Sequence, residues 1–233
     1  IPSLYRIHEE PDTMKIEGIF RYLKVPAKQP RRTLPYLLKS VKGRPEEEAV
    51  TYLVLRGLKR ARYSHENAGH FGLASGCYTH FTSPIRRYPD LVVHRILSDV
   101  IERKTPSSKR LEWLENNLPD IAYSSSHMER VSTDAENDVI NAMRIWFMKD
   151  KVGEEFKGKV VSVTPYGLKI RLNEFFVEGF LHVSYMDDDF YRFDENTLTL
   201  KGKRTGKTFG LGHKLSVRVD KVNMEEKEIV FGT

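Results

Sequence analysis

The chain has 233 residues, 39% hydrophobic and 30% charged, with a formal net charge of +6. This is the composition of a soluble globular chain with room for one large or two modest domains, and no run approaches the roughly 18 apolar residues of a membrane span. Acidic and basic residues balance from Glu154 onward, so the whole positive excess lies in the first 153 residues and favours a polyanionic partner there.

The N-terminal run Ile1-Pro2-Ser3-Leu4-Tyr5 has neither an initiator Met nor the order of a signal peptide, and reads as a start within a longer protein. Asp12 is a suitable N-cap for a helix over Thr13–Leu23, with Met14, Ile19, Phe20 and Leu23 on one face; Pro26 and a Lys28–Arg32 loop end it. Pro45 followed by Glu46, Glu47 and Glu48 starts a second helix, with Pro in first place and acids against the dipole. Val50, Leu53, Val54 and Leu58 then recur at helical spacing. Tyr63–Phe81 is extended and looped. Cys77, the only cysteine, excludes an intrachain disulfide and fits a reducing cytoplasm.

Pro89-Asp90 opens another helix, with Leu91, Val92, Ile96, Leu97, Val100 and Ile101 near one stripe. Pro119-Asp120 begins a long one towards Lys151. Its Met128, Val131, Ala135, Val139, Met143, Trp146 and Phe147 are expected to pack in the core, and Gly153 stops it. From Phe156 the period switches to two. Strands are expected at 156–163, Gly167–Leu172, Phe175–Val183, Lys214–Val222 and Glu228–Phe231, which suggests a small barrel of the OB type. The fold class is therefore α+β: a mainly helical part, 1–153, followed by a five-stranded barrel, 154–233.

The densest chemistry is in His80-Phe81-Thr82-Ser83-Pro84-Ile85-Arg86-Arg87-Tyr88-Pro89-Asp90-Leu91. Hydroxyls and twin guanidinium forks on a Pro turn ahead of a helix suit phosphate oxygens. A bare Arg-Arg pair at a helix start is more often only surface. No metal cage emerges from the residues: Asp187-Asp188-Asp189 reads as a solvated loop, Glu46–Glu48 as a helix start, and His70, Cys77 and His80 lack zinc spacing.

The flanks make the run specific. With Asn67-Ala68-Gly69-His70-Phe71-Gly72-Leu73-Ala74 ahead and Val92-Val93-His94-Arg95 behind, it resembles the end of the RNB catalytic domain of the ribonuclease II / ribonuclease R exoribonucleases. Tyr5-Arg6-Ile7-His8-Glu9-Glu10-Pro11 resembles a segment from the middle of that domain. Residues 154–233 resemble an S1 RNA-binding domain, through Gly158-Lys159-Val160, Tyr166-Gly167, Glu178-Gly179-Phe180-Leu181-His182-Val183-Ser184 and Val217-Arg218-Val219. The Arg-Arg-Tyr-Pro-Asp form and Asp189-Phe190-Tyr191-Arg192-Phe193-Asp194 favour the ribonuclease R type.

The resemblance implies hydrolysis of single-stranded RNA from its 3′ end to nucleoside 5′-monophosphates, in the cytoplasm. It implies Mg²⁺ held by aspartates from the earlier part of the RNB domain, which would come from an upstream half in the same protein or a separate chain. Arg86 then contacts the scissile phosphate, and Thr82, Ser83 and Arg87 grip the 3′-terminal backbone. A channel acid falls at Glu136 by the ribonuclease II pattern or at Asp134 by the ribonuclease R pattern, and both stay open. In the barrel Tyr166 is the stacking candidate, against a core tyrosine, and His182 matches the ligand-face histidine. Lys169 replaces a second aromatic and offers phosphate attraction; Asn223 and Lys227 replace an Asp and an Arg. The alternative function is a non-catalytic RNA-binding fragment, or a subunit acting with a separate N-terminal chain. Oligomeric state is not legible.

Overall fold

The structure, a computed structural model, describes residues 1–25, 30–103, 106–175 and 177–233. In chain order the elements are β1 (Tyr5–Ile7), α1 (Thr13–Tyr22), α2 (Pro30–Val41), α3 (Glu47–Gly57), β2 (Arg62–Ser64), α4 (Tyr88–Arg103), α5 (Ser108–Met148), β3 (Glu155–Thr164), β4 (Gly167–Leu172), β5 (Glu178–His182), β6 (Tyr191–Asp194), β7 (Thr199–Gly202), β8 (Thr208–Phe209), β9 (Lys214–Asn223) and β10 (Glu228–Gly232). They form two compact units. One comprises residues 1–10 and 59–136, the other 11–58 and 137–233.

In the first unit β1 pairs antiparallel with β2, Arg6 opposite Tyr63. Its core joins Leu4, Tyr63, Val92, Ile96, Leu114, Leu118 and Ala122. The expected stripe of α4 is therefore narrower than drawn: Val92 and Ile96 are buried, whereas Leu97 and Ile101 are exposed. Pro119 does not begin a helix but sits inside α5. An interior proline costs about 3 kcal/mol, which burial of Leu114, Leu118 and Ala122 on either side of it offsets.

The larger correction concerns the rest of α5. Met128, Val131, Val139, Met143, Trp146 and Phe147 are exposed, not core, with Trp146 at 62%. Ala135 is exposed too. Helical spacing identified a coherent apolar face, of which Phe147 packs against Phe175 at 5.0 Å while the residues named stay exposed.

In the second unit the helix expected from Pro45 starts at Glu47, because Glu46 takes the cap position. Val50 and Val54 are buried as expected. Ile19 and Phe20 of α1 are buried as well; the side chain of Met14, and Pro26 and residues 28–29, lie outside the described residues. The end of the expected Lys28–Arg32 loop is instead the first turn of α2, a helix that apolar spacing did not announce.

Five strands close into a barrel in the order β10-β5-β4-β3-β9, with only β10–β5 parallel. Alternation explains it: Val160, Leu168, Ile170, Leu172, Leu181, Val219 and Phe231 are fully buried, polar residues between them face out, and a bulge after Val160 bends β3. A Cβ on Gly179 would lie 2.5 Å from the Phe231 ring, so this strand needs glycine to pass the barrel's largest core side chain. The strand expected at Phe175–Val183 is shorter, Glu178–His182, with Phe176 outside the described residues.

Between β5 and β9 lies an unforeseen three-stranded sheet, β6-β7-β8. Asp189 anchors it. Its carboxylate accepts from the backbone N–H groups of Phe190 (2.7 Å), Arg204 (2.9 Å) and Thr205 (2.6 Å) and from the Thr205 hydroxyl (2.7 Å). These bonds, Thr205 N–H foremost, hold Asp189 well below the usual carboxylate range. Asp188 and Asp189 of the acidic run are thus engaged in structure, while Asp187 is exposed as expected of a solvated loop.

Candidate functional site

The turn ahead of α4 is organised by one buried carboxylate. Asp90 is fully buried, and its Oδ2 accepts from Ser83 N (2.8 Å), Arg87 Nη2 (2.8 Å) and Arg87 Nε (3.2 Å). Ser83 O in turn accepts from the backbone N–H groups of Arg86 (3.2 Å) and Arg87 (3.0 Å). Asp90 Oδ1 is also buried, with no hydrogen-bond partner among the described residues. The His94 ring donates through Nε2 to Phe81 O (2.7 Å) and stacks on the Phe81 ring at 4.2 Å. The turn is therefore fixed at both ends.

Its two arginines are treated differently. Arg87 is folded onto Asp90, while Arg86 is exposed and no described residue pairs with it. Thr82 is exposed as well, and Ile85 beside Arg86 is 97% exposed. The arrangement presents one rigidly mounted, uncommitted guanidinium to solvent, suited to a phosphate oxygen.

Behind the turn, the Tyr63 hydroxyl and His80 Nδ1 share a hydrogen bond at 2.9 Å. Burial, then the positive charges of Arg87 and Arg6, pushes the His80 pKa down and favours the neutral ring. Arg6 stacks over the Tyr63 ring at 4.7 Å and pairs with Glu129 at 2.5 Å. Edge-to-face contacts continue from Tyr63 through His80 (5.6 Å), Tyr78 (5.8 Å) and His70 (5.2 Å) to His8 (5.1 Å). The Asn67–Ala74 motif thus acts here as packing support.

Asp134 and Glu136 stand two residues apart on α5, a spacing that puts them on different sides of a helix. Asp134 lies 3.5 Å from Arg60 in an exposed pair. Glu136 is exposed, and no ion pair among the described residues engages it.

On the barrel, Tyr166 sits at the β3–β4 turn and is 70% exposed, which removes the core-tyrosine alternative. The turn packs tightly: Tyr166 O accepts from Val183 N (2.9 Å), and a Cβ on Gly167 would collide with Leu181 O. Gly167 pairs across the ladder with His182, whose Nδ1 accepts from Ser184 N (3.1 Å) and whose ring lies 6.4 Å from Tyr185 and 6.2 Å from Phe180. Tyr166, His182 and Tyr185 thus supply aromatic surface.

Lys169 is not the free cation its position suggests, because Glu178 pairs with it at 2.6 Å. Glu178 also holds Arg171 (2.6 Å), whose other nitrogen reaches Glu48 of α3 (2.8 Å). Lys227 pairs with Asp138 at 3.4 Å. Reading the sequence missed Asp90 and Glu178 as organisers; the signals were Asp90 at i+3 from Arg87 at a helix start, and Glu178 facing Arg171 across the ladder.

Among the described residues, no three His, Cys, Asp or Glu side chains gather to hold a metal ion. The residues present therefore do not fit the Mg²⁺ that the resemblance implies.

Residues 1–103 match the family model described as the RNB domain, and residues 149–233 that of the S1 RNA binding domain. Ribonuclease R 1 of Lactococcus lactis subsp. lactis (strain IL1403) is 40% identical over 239 residues, covering 99% of this chain and 29% of that protein. The apo form of Mycoplasma genitalium RNase R superposes with a TM-score of 0.87 at 26% identity, covering 100% of this chain and 38% of the other. The same enzyme in complex with ribose methylated single-stranded RNA gives 0.84 at 25%, again covering 100% and 38%. Fold and signature together define a protein of the RNB–S1 class. The chain belongs to the ribonuclease II / ribonuclease R family and is ribonuclease R-like. It spans about a third of the length of the curated relatives it matches.

Proposed function

We propose that this chain is part of a 3′-to-5′ exoribonuclease that hydrolyses single-stranded RNA to nucleoside 5′-monophosphates. Residues 1–153 would be the later portion of the RNB catalytic domain and 154–233 one S1 domain. The observation that carries the proposal is Arg86: an exposed guanidinium, unpartnered among the described residues, on a turn locked by Asp90. A preorganised donor of this kind stabilises charge developing on a phosphate without reorganisation.

Thr82 and the Ser83 hydroxyl would flank the terminal backbone, with Arg87 contributing mainly by holding the turn. Glu136, uncommitted, fits the channel acid better than Asp134, which faces Arg60. Tyr166 and His182 would stack or hydrogen-bond bases of the incoming strand. The exposed apolar face of α5 supports an upstream half of the RNB domain as the partner that covers it, and metal ligands would come from that half.

The test compares this chain with the complete protein on oligoribonucleotides labelled at either end. This chain alone is expected to bind single strands without degrading them in Mg²⁺. The complete protein should release mononucleotides from the 3′ end and stop on chelation. Chelator-sensitive mononucleotide release by this chain alone would contradict the division proposed here, and RNA binding without any hydrolysis by the complete protein would leave the binding-module reading.

A further inference from the structure

The sheet inserted in the barrel carries an electrostatic conflict. In the β6–β7 ladder Arg192 stands directly opposite Lys201. Like charges in directly opposed positions repel and weaken an antiparallel pair. Both side chains lie on the exposed face, since Tyr191, Phe193, Leu200 and Gly202 alternate with them and are more buried. Among the described residues no carboxylate lies within ion-pair distance of Arg192, Lys201 or the adjacent Lys203.

The nearby acids are occupied. Asp188 takes Lys207 (3.0 Å) and the Tyr191 hydroxyl (2.8 Å). Asp189 is saturated by the backbone and hydroxyl donors described above, and Asp194, which feels Arg192 through space, accepts from Asn196 N (2.9 Å) and Thr197 N (3.4 Å). Of the described acids around the insert, Asp187 and Glu195 have no hydrogen-bond or ion-pair partner, and neither lies within ion-pair distance of the three cations. Beside the cations the Phe190 ring is 85% exposed, and Phe190, Arg192, Lys201 and Lys203 line a shallow cavity of about 720 Å³, with Asp194 and Glu195 on the same wall.

An unpaired cationic ladder beside an uncovered aromatic ring has the two parts of a single-strand site: charge for the backbone and a π face for a base. We infer that this face of the insert is a second RNA-binding surface, separate in its residues from Tyr166 and His182. Arg192, Lys201 and Lys203 take phosphates and relieve their own repulsion, while Phe190 stacks a base. A polyanion accounts for the retained Arg192–Lys201 opposition better than an acidic peptide does, because it supplies closely spaced charge together with flat rings. The inference rests on the proposed RNA-binding function.

The test measures binding of labelled oligouridylate to this chain across a salt series, beside thermal melts. Arg192→Thr with Lys201→Thr replaces the repelling pair by residues suited to a strand, so the melting temperature should hold or rise. Affinity at about 50 mM salt should fall about fivefold or more, and the log–log salt slope should lessen by about 0.7 for each phosphate that is no longer neutralised. Lys203→Gln, outside the opposed pair, should lessen the slope in the same sense and serves should the double variant melt early. Phe190→Ala should weaken binding about fivefold or more with the slope unchanged. Steep salt-dependent binding by the parent chain that all these variants retain would overturn the second surface alone. No binding by the parent chain would instead defeat the RNA-binding reading itself.

Discussion

Arg87 sends Nε and Nη2 to the same buried Asp90 oxygen that receives the Ser83 backbone N–H. Removing that oxygen strands a charge and a backbone donor together, which is among the costlier changes a turn can suffer. Asp90→Ala is expected to destabilise the protein by about 3 kcal/mol, the low end for a broken buried pair because Arg87 keeps some access to water. Asp90→Asn, which keeps an acceptor but no charge, should cost less. Urea unfolding of the two variants checks the order, and a loss below about 0.5 kcal/mol for Asp90→Ala would mean that the carboxylate does not hold the turn. Arg86 and Arg87 look equivalent in the sequence as potential phosphate ligands. Only the helix start, which brings position 90 back over position 87, separates the exposed arginine from the engaged one.

The strands were legible because period-two alternation survives in a barrel with one face buried, as in β4, where Leu168, Ile170 and Leu172 all point in. The insert was not, since its strands are short and its order depends on Asp189 reaching backbone donors fifteen and sixteen residues on. In α5 the apolar spacing was legible but its burial was not, since burial depends on what lies opposite. The same limit applies to the Glu178 cluster, where charges that read as ligands turn out to be partners. Burial raises the Glu178 pKa, but hydrogen bonds from Lys169 and Arg171 outweigh it and hold the carboxyl below its ordinary value of 4.5. A group whose pKa is lower folded than unfolded adds stability above the unfolded value and loses it as pH falls through the folded one. Glu178→Gln should therefore lower the melting temperature near neutrality, and the gap to the parent chain should close as pH drops below about 4.5. A gap that stays constant down to about pH 3 would show that the ion pairs add nothing.

Across the whole molecule, binding and chemistry draw on different resources. On the proposed function, binding energy would be spread over aromatic surface at Tyr166 and His182, over a net positive first part, and over many phosphates of the bound strand. In the proposed hydrolysis, charge developing at the scissile phosphate would have few partners, and among the described residues the turn offers one uncommitted guanidinium. The turn, locked by Asp90, would add position and charge to that reaction. The measurement that tests this most directly pairs single-turnover hydrolysis with equilibrium RNA binding for Arg86→Ala in the complete protein. Turnover should fall by on the order of 10²–10³ while affinity changes only a few-fold, and Arg86→Lys should rescue poorly because an ammonium lacks the fork. Near-parental turnover for Arg86→Ala, or equal losses in turnover and affinity, would contradict the account and leave Arg86 as one phosphate contact among many.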